Sequence, residues 1–261
     1  MVEIMFEEPL YLGFKKKTRV MMPESYDEMT GEQFTALVSY SKGWISEDEF
    51  MLQFLGIERK LLDKLDRWTI YNINRLLDFL KDMKPTDKMY IGSIPAKVDG
   101  QIIRLTAPGA KLSGMTFQQF MTVDTFFGWW VYSEKTPYLY NFITTLFTDP
   151  SKPFAELETE KYKEGILSMD GNTRDMMEAA VVNWMMIKQW LSNSYPYLFP
   201  TPPSDGKEEK PKKKKKPGSW LEIFDSLVDE DLTRVETYQT LPAMDVIRIL
   251  NGKIKNAKKR K

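Results

Sequence analysis

Asp175-Met-Met-Glu-Ala-Ala-Val-Val-Asn-Trp-Met-Met-Ile-Lys-Gln-Trp-Leu191 is the stretch that decides the fold. Its apolar residues, among them Ala179, Ala180, Val181, Val182, Trp184, Met185, Met186, Ile187 and Leu191, wind around nearly every face of a helix. The run is far longer than a strand. A helix apolar almost all round belongs at the buried centre of its domain. Other helices must cover it, so the fold class reads as mainly α.

Several helix starts upstream and downstream carry capping boxes, in which a hydroxyl and a Gln or Glu satisfy free amides of the first turn. Thr30 with Gln33, Ser46 with Glu49, Thr116 with Gln119 and Ser219 with Glu222 have that spacing. A helix from about Trp68 to Met83 is expected to line up Ile70, Ile73, Leu76, Leu77, Leu80 and Met83 along one stripe. The phrases Met29-Thr30-Gly-Glu-Gln33-Phe34 and Met115-Thr116-Phe-Gln-Gln119-Phe120 are alike. They fit either a duplicated helical unit or the recurrence of a good cap.

Two places read as β. Thr18-Arg-Val-Met-Met22 is strand-like and stops at Pro23, and Asp99-Gly100 between Ala96-Lys97-Val98 and Gln101-Ile-Ile-Arg-Leu105 is a hairpin signature. A small sheet from these pieces is expected. After Pro200 the composition breaks into Pro200-Thr-Pro-Pro-Ser-Asp-Gly206, a Lys run and Pro217-Gly218, which cannot form a core. Beyond it a short helix starts at Ser219, and Val246, Ile247, Leu250 and Ile254 form an apolar stripe after Leu241-Pro242. The organisation read from this is a helical main domain with minor β over 1–200, a flexible Pro/Lys-rich linker over 201–218, and a small helical C-terminal module with a basic tail over 219–261.

The 261 residues contain no His and no Cys. Ser-His-Asp and Cys-His nucleophile systems cannot be built from them, and zinc sites are disfavoured. Formal charge is zero, with 37 basic and 37 acidic residues, but it is unevenly spread. Lys207–Lys216 and Asn251–Lys261 together hold 13 basic and 2 acidic residues. Setting them aside leaves 24 basic against 35 acidic residues, a body of −11. An acidic body repels nucleic acid, whereas the basic linker and tail attract it. No apolar run approaches the length of a membrane span.

The candidate chemical motifs have plainer readings. Gly109-Ala-Lys-Leu-Ser-Gly114 has the spacing of a phosphate loop but is followed by Met115-Thr116 instead of Lys-Ser/Thr. Asp170-Gly-Asn-Thr-Arg-Asp175 lacks the ligand order of a calcium loop and reads as a turn with Asn172 as helix cap. Glu47-Asp48-Glu49 and Asp229-Glu230-Asp231 sit where first-turn acids favour a helix dipole. Phe126-Phe127-Gly128-Trp129-Trp130-Val131-Tyr132 has no interleaved Arg or Lys, so it reads as core or as a protein-facing patch, not as a base-stacking platform. Lys212, Lys213, Lys214, Lys215 and Lys216 form either a nucleic-acid patch or a solubilising tether. No catalytic residue, metal ligand or cofactor site is expected. The reading is a binding or assembly protein rather than an enzyme.

Met22-Pro-Glu-Ser-Tyr-Asp-Glu-Met-Thr-Gly-Glu-Gln33, Leu112-Ser-Gly-Met-Thr-Phe-Gln-Gln-Phe120 with Asp124-Thr-Phe-Phe127, and Trp220-Leu-Glu-Ile-Phe224 with Leu241-Pro242 and Val246-Ile-Arg-Ile-Leu-Asn251 together resemble helical assembly proteins of tailed phages and prophages of Bacteroidota. The phrases touch most of the chain and carry no chemistry. The resemblance implies a tail assembly chaperone, a cytoplasmic protein of the infected bacterium. It would hold the apolar, helical tape-measure protein soluble until the tail tube forms around it. It also implies that a shorter product ends near Lys212–Lys216 by ribosomal frameshifting, which the intact mass of protein made from the native gene would reveal. Trp129, Trp130, Met176 and Met177 are the candidate partner-binding residues. The alternatives are a structural virion component such as a connector or tail-completion protein, with tail or neck proteins as partners, and a nucleic-acid-binding accessory protein using the Lys-rich linker. No membrane partner is expected.

Overall fold

The computed structural model describes residues 1–9, 15–169, 171–200, 218–220, 222–224 and 234–259. An antiparallel hairpin, β1 (Val2–Pro9) with β2 (Lys15–Met22), opens the chain in a register running from Val2 opposite Met22 to Pro9 opposite Lys15. Phe6, Val20 and Met22 face the core, while Glu3, Met5, Lys17, Arg19 and Met21 face outward, the alternation of a half-buried pair. The helices α1 (Gly31–Ser41), α2 (Glu47–Leu55), α3 (Arg59–Leu62) and α4 (Arg67–Leu76) follow. A second hairpin, β3 (Ser93–Val98) with β4 (Gln101–Thr106), turns through Asp99 and Gly100. Both have positive φ, 51° and 79°, as the tight hairpin signature requires. The two hairpins are separate two-stranded sheets, not one sheet as expected, because no strand of one pairs with the other. The chain then forms α5 (Phe117–Ser133), α6 (Thr136–Leu146), α7 (Thr159–Leu167), α8 (Gly171–Ser194), α9 (Val235–Thr240) and α10 (Ala243–Lys259). The fold is mainly α with small antiparallel β elements.

The helix α8 is the organising element. Its 24 residues rise about 36 Å at 1.5 Å each. Trp184, fully buried, meets Phe120 of α5 and Phe142 of α6, each with ring centroids 6.1 Å apart. Asn183 is also fully buried. Its Nδ2 donates to Lys88 O at 3.0 Å and its Oδ1 accepts from Tyr90 N at 2.6 Å, pinning the segment before β3 to the helix. The helix is not enclosed on all sides: Met185 is 53% exposed and Gln189 is exposed, which leaves one stripe uncovered. It also begins at Gly171, so Asn172 lies inside the helix instead of capping it.

Local capping chemistry sets most other boundaries. Thr30–Gln33 and Ser46–Glu49 are reciprocal boxes with all four hydrogen bonds between 2.8 and 3.2 Å. Thr116 accepts from Gln119 N at 3.2 Å, but the Gln119 carboxamide turns inward and donates to Thr145 O at 2.9 Å, tying α5 to α6. In both Met-Thr-x-x-Gln-Phe phrases the Met and Phe occupy the hydrophobic-staple positions, and Met29, Phe34, Met115 and Phe120 are all buried. Both phrases thus place the same staple at a helix start, although only the first closes its capping box. The helix expected over 68–83 ends at Leu76 and tightens into a 3₁₀ segment, Leu77–Lys81. Ile73 and Leu77 are buried, whereas Leu76 and Met83 are exposed, so the stripe is narrower than expected.

The C-terminal segment enters the same core. Ala243, Val246, Ile247 and Leu250 of α10 are buried. Leu241 O accepts from Phe117 N at 2.8 Å, and Met115 O accepts from Ala243 N at 2.9 Å. The first of these bonds satisfies a free amide in the first turn of α5. Asn251 Oδ1 accepts from Tyr197 N and Leu198 N at 3.0 and 3.1 Å, and Lys255 and Lys258 lie over the Tyr197 ring.

Candidate functional site

The α5 residues Gln118, Met121, Thr122, Thr125, Phe126 and Trp129 recur at spacings of three and four and share one helix face. That face forms one wall of a groove of about 730 Å³, closed on the other side by Gly218, Ser219, Trp220, Glu222 and Gln239. The volume lies within the roughly 300–1,000 Å³ of ordinary binding clefts. Its lining is mixed: Met121, Phe126, Trp129 and Trp220 are apolar, Gln118, Ser219, Glu222 and Gln239 are polar, and the hydroxyls of Thr122 and Thr125 are turned back onto Gln118 O and Met121 O at 2.9 and 2.7 Å. Those threonines therefore present methyl groups without leaving a hydroxyl unsatisfied.

Trp220 fixes the opposite wall. It is buried, with edge-on contacts to Phe117, Phe120 and Phe199 at centroid distances of 6.0, 5.3 and 5.9 Å. Its Nε1 donates to Asp124 Oδ2 at 2.8 Å. Asp124, 12% exposed at its side chain, is also paired with Lys188 of α8, whose Nζ lies 2.7 Å from Oδ1 and 2.9 Å from Oδ2. Oδ2 accepts from both Trp220 and Lys188, and the same ammonium lies against Oδ1. A carboxylate this enclosed needs such a partner, since an unpaired buried charge is costly. One acid thus joins α5, α8 and Trp220.

The structure separates the four expected partner-binding residues. Trp129 lines the groove, stacking on Tyr138 at 5.9 Å and meeting Tyr132 edge-on. Trp130 is half-buried and packs against the core. Met177 is buried and Met176 half-buried on a turn of α8 fastened to α1. There Lys42 pairs with Glu178 at 2.6 Å and Ser39 Oγ donates to Asp175 Oδ2 at 3.3 Å. Met176 and Met177 pack in the core cluster and are not among the residues lining the α5 groove. Lys212–Lys216 lie outside the described residues, as does Asp229-Glu230-Asp231.

The phosphate-loop spacing also resolves into ordinary structure. The amides of Gly109, Lys111, Ser113 and Met115 bond to Ser113 O, Asp87 O, Ala110 O and Leu112 O, so none of these four is presented to an anion. In the acidic run, Asp48 pairs with Arg59 at 2.6 Å and Glu49 completes its cap, which lowers the Glu49 carboxyl below its usual range through the Ser46 amide. Among the described residues no three His, Cys, Asp or Glu gather as a metal site, and no helix is long and apolar enough to cross a membrane.

Sequence reasoning missed the Asp124–Lys188–Trp220 node and the stacked pair Trp68–Tyr71 on α4. The first had a weak signal, a lone acid inside an aromatic helix. The second had a clearer one: Trp68, Tyr71 and Arg75 recur at three and seven, off the stripe of Ile73 and Leu77. No family model matches the chain, and no curated protein or solved structure matches it significantly.

Proposed function

We propose that the protein is an assembly factor that holds an apolar helical segment of a partner, as a tail assembly chaperone holds the tape-measure protein. The observation that carries this reading is the α5 groove, in which Met121, Phe126, Trp129 and Trp220 supply apolar surface beside the polar Gln118, Ser219, Glu222 and Gln239. A client helix would lay its apolar face onto Met121, Phe126 and Trp129, as helix-in-groove recognition requires. Methionine beside aromatic rings suits clients of varied sequence, because the thioether repacks at little cost. The resemblance to phage assembly proteins supplies the client's identity.

The test is light scattering of an aggregating tape-measure fragment from the same phage. The full chain at a stoichiometric ratio suppresses the signal, and Phe126→Glu abolishes suppression, with circular dichroism checking that the fold, onto whose core Phe126 partly packs, is retained. No suppression by the unaltered protein overturns the reading. Retention of the chain in purified particles would instead favour a connector or tail-completion role.

A further inference from the structure

Helix α4 carries a second surface, distinct from the α5 groove. Trp68 and Tyr71 are 69% and 55% exposed, and their rings stack with centroids 5.7 Å apart and planes 21° from parallel. Helical spacing puts Arg75 on the same face as both rings and Arg67 beside Tyr71. Both arginines are exposed, and neither side chain makes an ion pair or hydrogen bond with a described residue. They sit about 12 Å apart along the helix axis, from eight residues at 1.5 Å each. The segment 59–84 holds seven basic and four acidic residues, a net of +3, within a body of the opposite sign.

We infer that α4 is a stacking platform for single-stranded nucleic acid. A stacked Trp–Tyr pair presents a flat π-face on which a base continues the stack whatever its sequence. The flanking guanidiniums supply the phosphate contacts, and Arg holds such oxygens bidentately. This interleaving of ring and cation is what the 126–132 aromatic run lacks. A protein hot spot uses the same residue types but needs an apolar surround that excludes water. Here the rings are bordered by Arg67, Asn72 and Arg75. The site binds backbone charge and base faces, with no groove to read a base edge, so recognition is sequence-tolerant.

The test titrates the full chain into a labelled oligothymidylate of about fifteen nucleotides, near the upper site size of one binding fold. Affinity is read by anisotropy at several salt concentrations. Trp68→Ala weakens binding by roughly 5- to 150-fold, the factor for one lost base stack. Arg67→Gln with Arg75→Gln lowers the slope of log affinity against log salt by about 1.4, two phosphates at about 0.7 each. Trp68 is exposed, so its replacement leaves the fold unchanged by circular dichroism. Replacing Lys212–Lys216 with Gln reduces affinity but preserves the Trp68 factor. The inference is overturned if the unaltered protein does not bind, if binding survives Trp68→Ala unchanged, or if Trp68→Ala abolishes self-association or client binding while oligonucleotide affinity holds.

Discussion

Replacing Asn183 by Ala removes a side chain that ties the segment before β3 to the centre of α8. Two hydrogen bonds go with it, to Lys88 O at 3.0 Å and from Tyr90 N at 2.6 Å. Tyr90 is buried, so its amide finds no water once the carboxamide is gone. A buried backbone group left unpaired costs about 1–3 kcal/mol. Lys88 is half-exposed and recovers part of its loss. The expected destabilisation is therefore about 2–4 kcal/mol, a large share of the roughly 5–15 kcal/mol that holds a domain folded. Urea unfolding measures it: the midpoint falls while the slope stays constant. Asn183→Leu separates the causes, since it restores volume but neither hydrogen bond. If Asn183→Leu is within about 0.5 kcal/mol of the unaltered protein, the range of an inconsequential surface change, the carboxamide bridge is not what holds this segment.

Gly165 of α7 abuts the backbone of β3, where an added Cβ would meet Lys97 O at 2.6 Å and Lys97 N at 3.1 Å. Gly165→Ala should lose about 1–3 kcal/mol by overpacking, whereas Gly252→Ala, with nothing within 4 Å in α10, should gain about 0.5–1 kcal/mol of helix propensity; thermal melts of the two compare them directly. Trp220→Phe keeps a ring but strips the N–H from Asp124 Oδ2, costing about 1–3 kcal/mol. Trp220→Ala should cost about 3–5 kcal/mol, and equal effects in urea unfolding would mean that packing adds nothing there. Burial pushes the Tyr26 phenol up to about 12, so the folded protein keeps a proton that the unfolded chain releases near pH 10. Stability should then fall as pH rises from about 10 to 12. Tyr26→Phe should flatten that decline, although it also removes the bond from Tyr26 Oη to Leu80 O.

What was legible in the sequence was local. The hydroxyl and the Gln or Glu three residues on predict the starts of α1 and α2 because a cap is chemistry within one turn. Asp99-Gly100 predicts its hairpin because few residues tolerate two successive positive φ angles. The apolar run 175–191 predicts α8 but not its open stripe at Met185, since an apolar residue reads the same whether or not a neighbour covers it. Long-range decisions were not legible. Gln119 has the right spacing to close a capping box and instead reaches Thr145, 26 residues away. Nothing near Trp220 in the chain announces that Phe117, Phe120 and Phe199 enclose it. For the groove, an aromatic run pointed to Trp129, but its partners at Met121 and Thr125 required the α5 face and the returning C-terminal segment together. Residue type alone points to Met176 and Met177, and type does not distinguish a methionine that meets a client from one that packs in the core.

The most direct measurement places a photo-crosslinking residue on the groove wall at Gln118 or Thr125, and separately on the remote α4 face at Asn74, in the full chain mixed with the tape-measure fragment. Client crosslinks from 118 and 125, with none from 74, are predicted, together with their loss in Phe126→Glu. Crosslinks that form equally from all three positions, or from 74 alone, would contradict capture by the α5 groove.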